Sequence, residues 1–179
     1  MIDTCLINIS TTCSRLNEIN NIRESINVVQ LSFAFDWSVQ SDTTALVYDL
    51  YKKELLPLAE KLELDLQFQG LGGKQTGSIY CDICCEIQKS EIILFDISTH
   101  NINVLFELGL AIGSGAYVYL LRSRHQKRPK KEFSDLSGIL EYRYTRPGGR
   151  LSFQANLIGD IYSKLQTISE NRARIHQIG

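Results

Sequence analysis

No apolar run in the 179 residues approaches the roughly 18 that a membrane-spanning helix requires. Charge of one sign is lacking as well. A formal net charge of −1 and a pI near 6.3 give no general attraction for nucleic acid or an anionic membrane, so neither is expected as a partner. Residues 1–13 have no basic stretch followed by a long apolar one; no signal peptide is expected, and the reading is cytoplasmic. The five cysteines are an odd number, and no second Cys/His pair stands at zinc spacing from Cys81, Cys84 and Cys85. No metal site or disulfide framework is expected, and these three cysteines read as one buried helical stripe. A GxGxxG or Walker pattern and an internal repeat are also absent. The length suits one domain over 1–179, with 1–27 a helical extension in front of it.

What is present is alternation. Val28 to Phe35, Ile92 to Phe95 and Ala116 to Leu121 are short apolar runs rich in β-branched or aromatic residues, and Leu64 to Phe68 alternates apolar and polar. These predict four strands, and Leu140 to Tyr144 a fifth. Helical spacing fills the gaps. Residues 43–62 form one helix capped from Ser41, Asp42 or Thr43, which Pro57 should kink or break. A second runs from a Ser78 cap through Ile87, a third starts at Asn103 and stops at Gly113 to Gly115, and a closing one covers Phe153 to Ile168. Thr11 to Ile26 carries a leading helix. Strands alternating with helices predict an α/β protein whose doubly wound parallel sheet has about five strands and helices on both faces.

In such a sheet chemistry gathers in the loops beyond the carboxyl ends of the strands. Ser32, Phe33 and Asp36 end the first strand. Gly72 lies in the glycine-rich loop Gly70 to Gly77 after the second, and Asp96, Ser98, Asn101 and Asn103 follow the third. Glu107 sits one turn into the next helix between Phe106 and Leu108, facing the same edge. An aromatic for a planar base, glycine amides for phosphate, side-chain amides for hydroxyls and one carboxylate make a nucleotide pocket. Phe33 and Phe35 read equally as core, and Asp96 and Ser98 equally as turn caps.

Asn101-Ile-Asn103-Val-Leu-Phe-Glu107-Leu-Gly109-Leu-Ala111 resembles the NxNVxxELGxA signature of bacterial TIR-like proteins, and FELG before a small-residue turn also resembles the nucleoside 2-deoxyribosyltransferases. Asp96-Ile-Ser98 upstream and Phe133-Ser-Asp135-Leu-Ser-Gly138-Ile downstream extend the TIR-like resemblance, which covers roughly residues 28–145. It implies a flavodoxin-like, TIR-like fold and cleavage of an N-glycosidic bond, with Glu107 as the catalytic glutamate stabilising an oxocarbenium-like charge or attacking it. Deoxyribosyltransferases carry an acid six residues before that glutamate; this chain has Asn101, and an amide cannot be a general acid. Nicotinamide leaves NAD without needing a proton. The resemblance therefore favours an NAD glycohydrolase with NAD as substrate and no cofactor, and implies an antiphage defence effector that assembles into homo-oligomers on a signal from a partner. The alternatives are a nucleoside deoxyribosyltransferase or hydrolase, and a nucleotide-binding module without catalysis.

Overall fold

A computed structural model of the chain describes residues 15–36, 43–71, 79–125, 139–154 and 156–178. Gly72 and the glycine-rich loop from there to Gly77, the Ser41, Asp42 and Ser78 caps, residues 126–138 of the basic loop and of the downstream motif, and residues 1–14 lie outside them.

The alternation predicted from sequence is what forms. Strands β1 (Val28–Ala34), β2 (Asp65–Gly70), β3 (Ile92–Asp96), β4 (Tyr117–Ser123) and β5 (Glu141–Thr145) are parallel, in the order β2-β1-β3-β4-β5, and β6 (Ser152–Phe153) adds to the far edge antiparallel. This is an α/β, flavodoxin-like, doubly wound sheet. Its central strand β3 is buried at every residue because helices cover both of its faces, so it reads as a continuous apolar run. β2, at the edge, exposes Asp65 and Gln67 and keeps its alternation.

Two apolar layers result. On one face Val29, Leu31, Phe33, Ile92, Leu94 and Leu121 pack under α2 (Thr43–Leu50), α3 (Leu56–Glu60) and α6 (Leu157–Ile178). On the other, Ala34, Ile93, Phe95 and Leu120 meet Ile87 of α4 (Ile79–Lys89) and Val104, Leu108 and Ala111 of α5 (Ile102–Ser114). The leading helix is α1 (Leu16–Arg23), held against α4 by ion pairs: Arg15 with Glu18 and Asp82 at 2.7 and 2.8 Å, and the buried Lys89 with Glu18 and with Glu86. These hydrogen bonds hold the Glu18 carboxyl down to about 2. Among the described residues no helix is long and apolar enough to cross a membrane.

Several local expectations need correction. Pro57 does not break its helix. A π-helical turn, Tyr51–Leu55, comes before it, and the Leu56 amide reaches back to the Tyr51 carbonyl. The widened turn relieves the clash a proline ring makes with the carbonyl four residues earlier, so the helix continues. The cap of α5 is Asn101, not Asn103: the Asn101 side chain accepts from the Asn103 amide at 2.8 Å. Cys84 and Cys85 are buried as expected, but Cys81 is exposed on the first turn of α4. The closing helix is displaced, because Phe153 pairs with Tyr144 in β6 and leaves Leu157 as its first residue. It also runs past Ile168, and Arg172 donates to the Val28 carbonyl at 2.7 Å, tying the last helix to the start of β1.

α5 ends at Gly115, whose φ of 80° is left-handed, while Gly113 lies inside the helix; a Cβ at either would meet nothing within 4 Å. Backbone conformation alone then separates the two positions. Gly115→Ala should cost about 1–2 kcal/mol in urea unfolding, whereas Gly113→Ala should stabilise by about 0.5–1 kcal/mol.

Candidate functional site

The strand order reverses between β1 and β3, and the carboxyl ends beside such a switch point are where sheets of this kind take their ligands. On the α2 side of the edge the last residue of β3, Asp96, turns its carboxylate into the interior. It accepts from the Tyr144 hydroxyl at 2.7 Å and from the Ser98 amide at 3.0 Å. Burial first, then Asp96 itself, pushes the Tyr144 phenol up, so it stays a donor to the carboxylate. The Arg146 guanidinium lies 5.5 Å from the Tyr144 ring centre, donates to its hydroxyl at 3.3 Å and reaches the buried Thr43 hydroxyl at the first turn of α2. The chain Asp96, Tyr144, Arg146, Thr43 thus places a cation beside the amino end of a helix, where backbone amides also favour negative charge.

The α5 side carries a second network. Arg122, 3% exposed, donates to Glu141 at 2.8 Å and meets His100 Nε2 at 2.8 Å. A guanidinium can only donate, so Nε2 accepts in this contact and the ring proton resides on Nδ1. His100 adopts φ of 54°, an uncommon conformation that turns the chain from β3 into α5. Ser98 Oγ accepts from the Ser123 amide at 2.7 Å and so joins the ends of β3 and β4. The half-buried Glu107 carboxyl is pushed up to about 7, and burial is the cause.

The sequence-derived residues therefore divide. Asp96, Ser98 and Asn101 come to the carboxyl edge at the end of β3 and the start of α5, Glu107 lies in the second turn of that helix, and Asp36 lies partly buried just beyond β1. Asn103 is on the exposed side of the first turn of α5. Ser32 and Phe33 are instead inside the sheet: the Ser32 hydroxyl pairs with that of Ser90 at 2.7 Å, and the Phe33 ring is fully buried against Phe35 at 5.1 Å. Gly72 lies outside the described residues. Tyr144, Arg146, Arg122 and Glu141 were not expected, because they lie on β4, on β5 and just after it, beyond the loops that follow the first three strands. The signal was the alternation of charge and aromatic in Glu141-Tyr142-Arg143-Tyr144, followed by Arg146 immediately before Pro147. Among the described residues no group of three His, Cys, Asp or Glu is placed to hold a metal ion.

No family model and no curated protein matches the chain. Solved structures that match include a mutant flavo di-iron protein from Thermotoga maritima, at 11% identity and a TM-score of 0.43 over 89% of this chain and 41% of that one. Another is the rubredoxin oxygen:oxidoreductase from Desulfovibrio gigas, at 15% identity and 0.37 over 90% and 38%. The chain spans about two fifths of the length of these solved chains. The resemblance drawn from the Asn101–Ala111 motif is corrected accordingly: no family model and no curated protein bears it out, and the solved structures named here are of other proteins. The readings that hung on it are withdrawn with it: a glycosyl-bond hydrolase or transferase, NAD as substrate, chemistry without a cofactor and a defence effector. Glu107 then stands as a desolvated carboxyl whose folded pKa exceeds the ordinary 4.5. A group raised in this way leaves stability intact below about 4.5 and removes it as pH climbs towards 7, because the unfolded chain gives up its proton first. Glu107→Gln should therefore match wild type in urea unfolding at pH 4.5 and exceed it by about 1–3 kcal/mol at pH 8; an identical difference at both pH values would refute the assignment.

Proposed function

We propose that the chain is a flavodoxin-like binding domain that takes a phosphate-bearing, planar ligand of mononucleotide size at the carboxyl edge of its sheet. The observation that carries this reading is the Arg146 guanidinium set between the Tyr144 ring and the Thr43 hydroxyl, beside the first turn of α2 and next to the switch point. In sheets of this strand order the crevice between the first and third strands is where flavin mononucleotide sits in flavodoxin, which makes it the first ligand to try.

The residues present fit the phosphate end of such a molecule. Arg146 supplies a planar set of donors suited to a phosphate oxygen pair, and the amides of α2 add the field of the helix end. Asp96 holds Tyr144, the guanidinium's ring partner, in place, so Arg146 is oriented before the ligand arrives. Phe33 and Phe35 are buried and take no part in stacking. The loop from Ser98 to Asn101 follows β3 at the same edge, with the His100 imidazole fixed by Arg122. A bound flavin would supply electron transfer; the chain's own residues bind and orient.

Titration with flavin mononucleotide, followed by flavin fluorescence and by thermal shift, tests the reading. Binding with a rise in melting temperature is expected. Arg146→Ala should weaken it about 10- to 100-fold, the worth of one charge-assisted hydrogen bond, while Arg143→Ala, on the other side of β5, leaves it unchanged. Saturating flavin without any thermal shift would sink the proposal.

A further inference from the structure

α5 has a polar flank and a core face, but its outward face is apolar and uncovered by any described residue. Ile102 is 72% exposed and Phe106 51%, with Ile112 at 47%. At 100° per residue, positions 102, 106, 109 and 113 fall on one narrow stripe, two of them glycines. A Cβ built on Gly109 or Gly113 meets nothing within 4 Å, so the stripe dips to a shallow trough at the two glycines, with Phe106 standing on the stripe at its head. α4 lies next to α5 on the same face of the sheet, both helices starting at the carboxyl edge, and it adds the exposed Ile79 and Tyr80 at its first turn. The ionic groups of α4 turn the other way, Asp82 to Arg15 and Lys89 to Glu18.

We propose that this face, centred on Phe106 and the Gly109–Gly113 trough, is the surface on which a second copy of the chain docks. Charge selects the occupant. Glu107 is the only ionisable residue of α5, and it is half-buried on the flank towards Ser114 rather than on the stripe. An acidic or basic partner finds nothing to pair with there, whereas a two-fold copy meets no like charge. A two-fold axis also sets each Phe106 ring against the other protomer's trough, the self-complementary match an isologous interface requires. The exposed fractions amount to roughly 500 Å² of apolar surface per protomer, most of the about 800 Å² that each partner of a standard interface buries. An apolar patch of that size is at the upper end of what a monomer ordinarily exposes, and patches of that rank are often functional.

This inference is independent of the ligand proposal, since Arg146 and Tyr144 lie on the opposite face of the sheet. Sedimentation velocity over a wide concentration range should show a monomer–dimer equilibrium. Phe106→Asp should raise the dimer dissociation constant at least about tenfold with an unchanged circular dichroism spectrum. Gly109→Leu should do the same while raising helix propensity, so that lost association cannot be ascribed to a weakened fold. A wild-type protein monomeric at every concentration would overturn the proposal, and so would a dimer indifferent to both substitutions.

Discussion

The hydrogen bond from Tyr144 to Asp96 is the contact around which the working edge of this protein is arranged. β3 is enclosed by helices on both sides, and a carboxylate at its end cannot remain in that interior unless donors surround it. Tyr144 supplies one from β5, two strands away, and the Ser98 amide supplies another from the turn that follows. Because the Tyr144 hydroxyl is committed to Asp96, its ring has a fixed position, and Arg146 is held above that ring. The placement of Arg146 at the first turn of α2 thus follows from the need to satisfy one buried acid.

The same demand for pairing explains the other side of the edge. Arg122 points from β4 into the α5 layer, where a guanidinium is tolerated only with partners, and Glu141 and His100 provide them. The outcome is a sheet whose interior is apolar and whose carboxyl rim is a line of locked polar groups. Such a rim is preorganised, since few side chains need to be reordered when something binds. At the opposite rim, Arg172 and the Ser32–Ser90 pair do structural duty of the same kind, joining α6 and the end of α4 to β1.

The motif from Asn101 to Ala111 shows how a local signature can be right about shape and wrong about chemistry. An asparagine cap, a helix of apolar and small residues and a glycine stop are requirements of a strand–helix–strand unit in any covered parallel sheet. Glu107 lies in the second turn of that helix, and burial alone accounts for its raised pKa. Fold-level likeness of this kind carries no reaction with it.

Period and apolarity were enough to read the architecture from the sequence, since they are local: the near-continuous run of β3, the alternation of β2 and the left-handed glycine that stops α5 each reflect forces acting within a few residues. Asp96 and Ser98 could be placed at the edge for the same reason, being the first polar residues after a buried strand. Ser32 and Phe33 were misplaced by the register of β1 against β3, which sets them level with Ile93 and Leu94 inside the sheet. Strand pairing decides that, and it involves residues about 60 positions apart. The partnership of Asp96 with Tyr144, of Arg146 with Thr43 and of Arg122 with His100 is likewise invisible in any short window, because parallel strands return to one another only after a helix has intervened. The chain's order of apolar and polar residues determined the sheet and its covering helices; which polar groups meet at its rim was decided only when crossover connections brought distant segments together, since each buried charge had to find its partner in space.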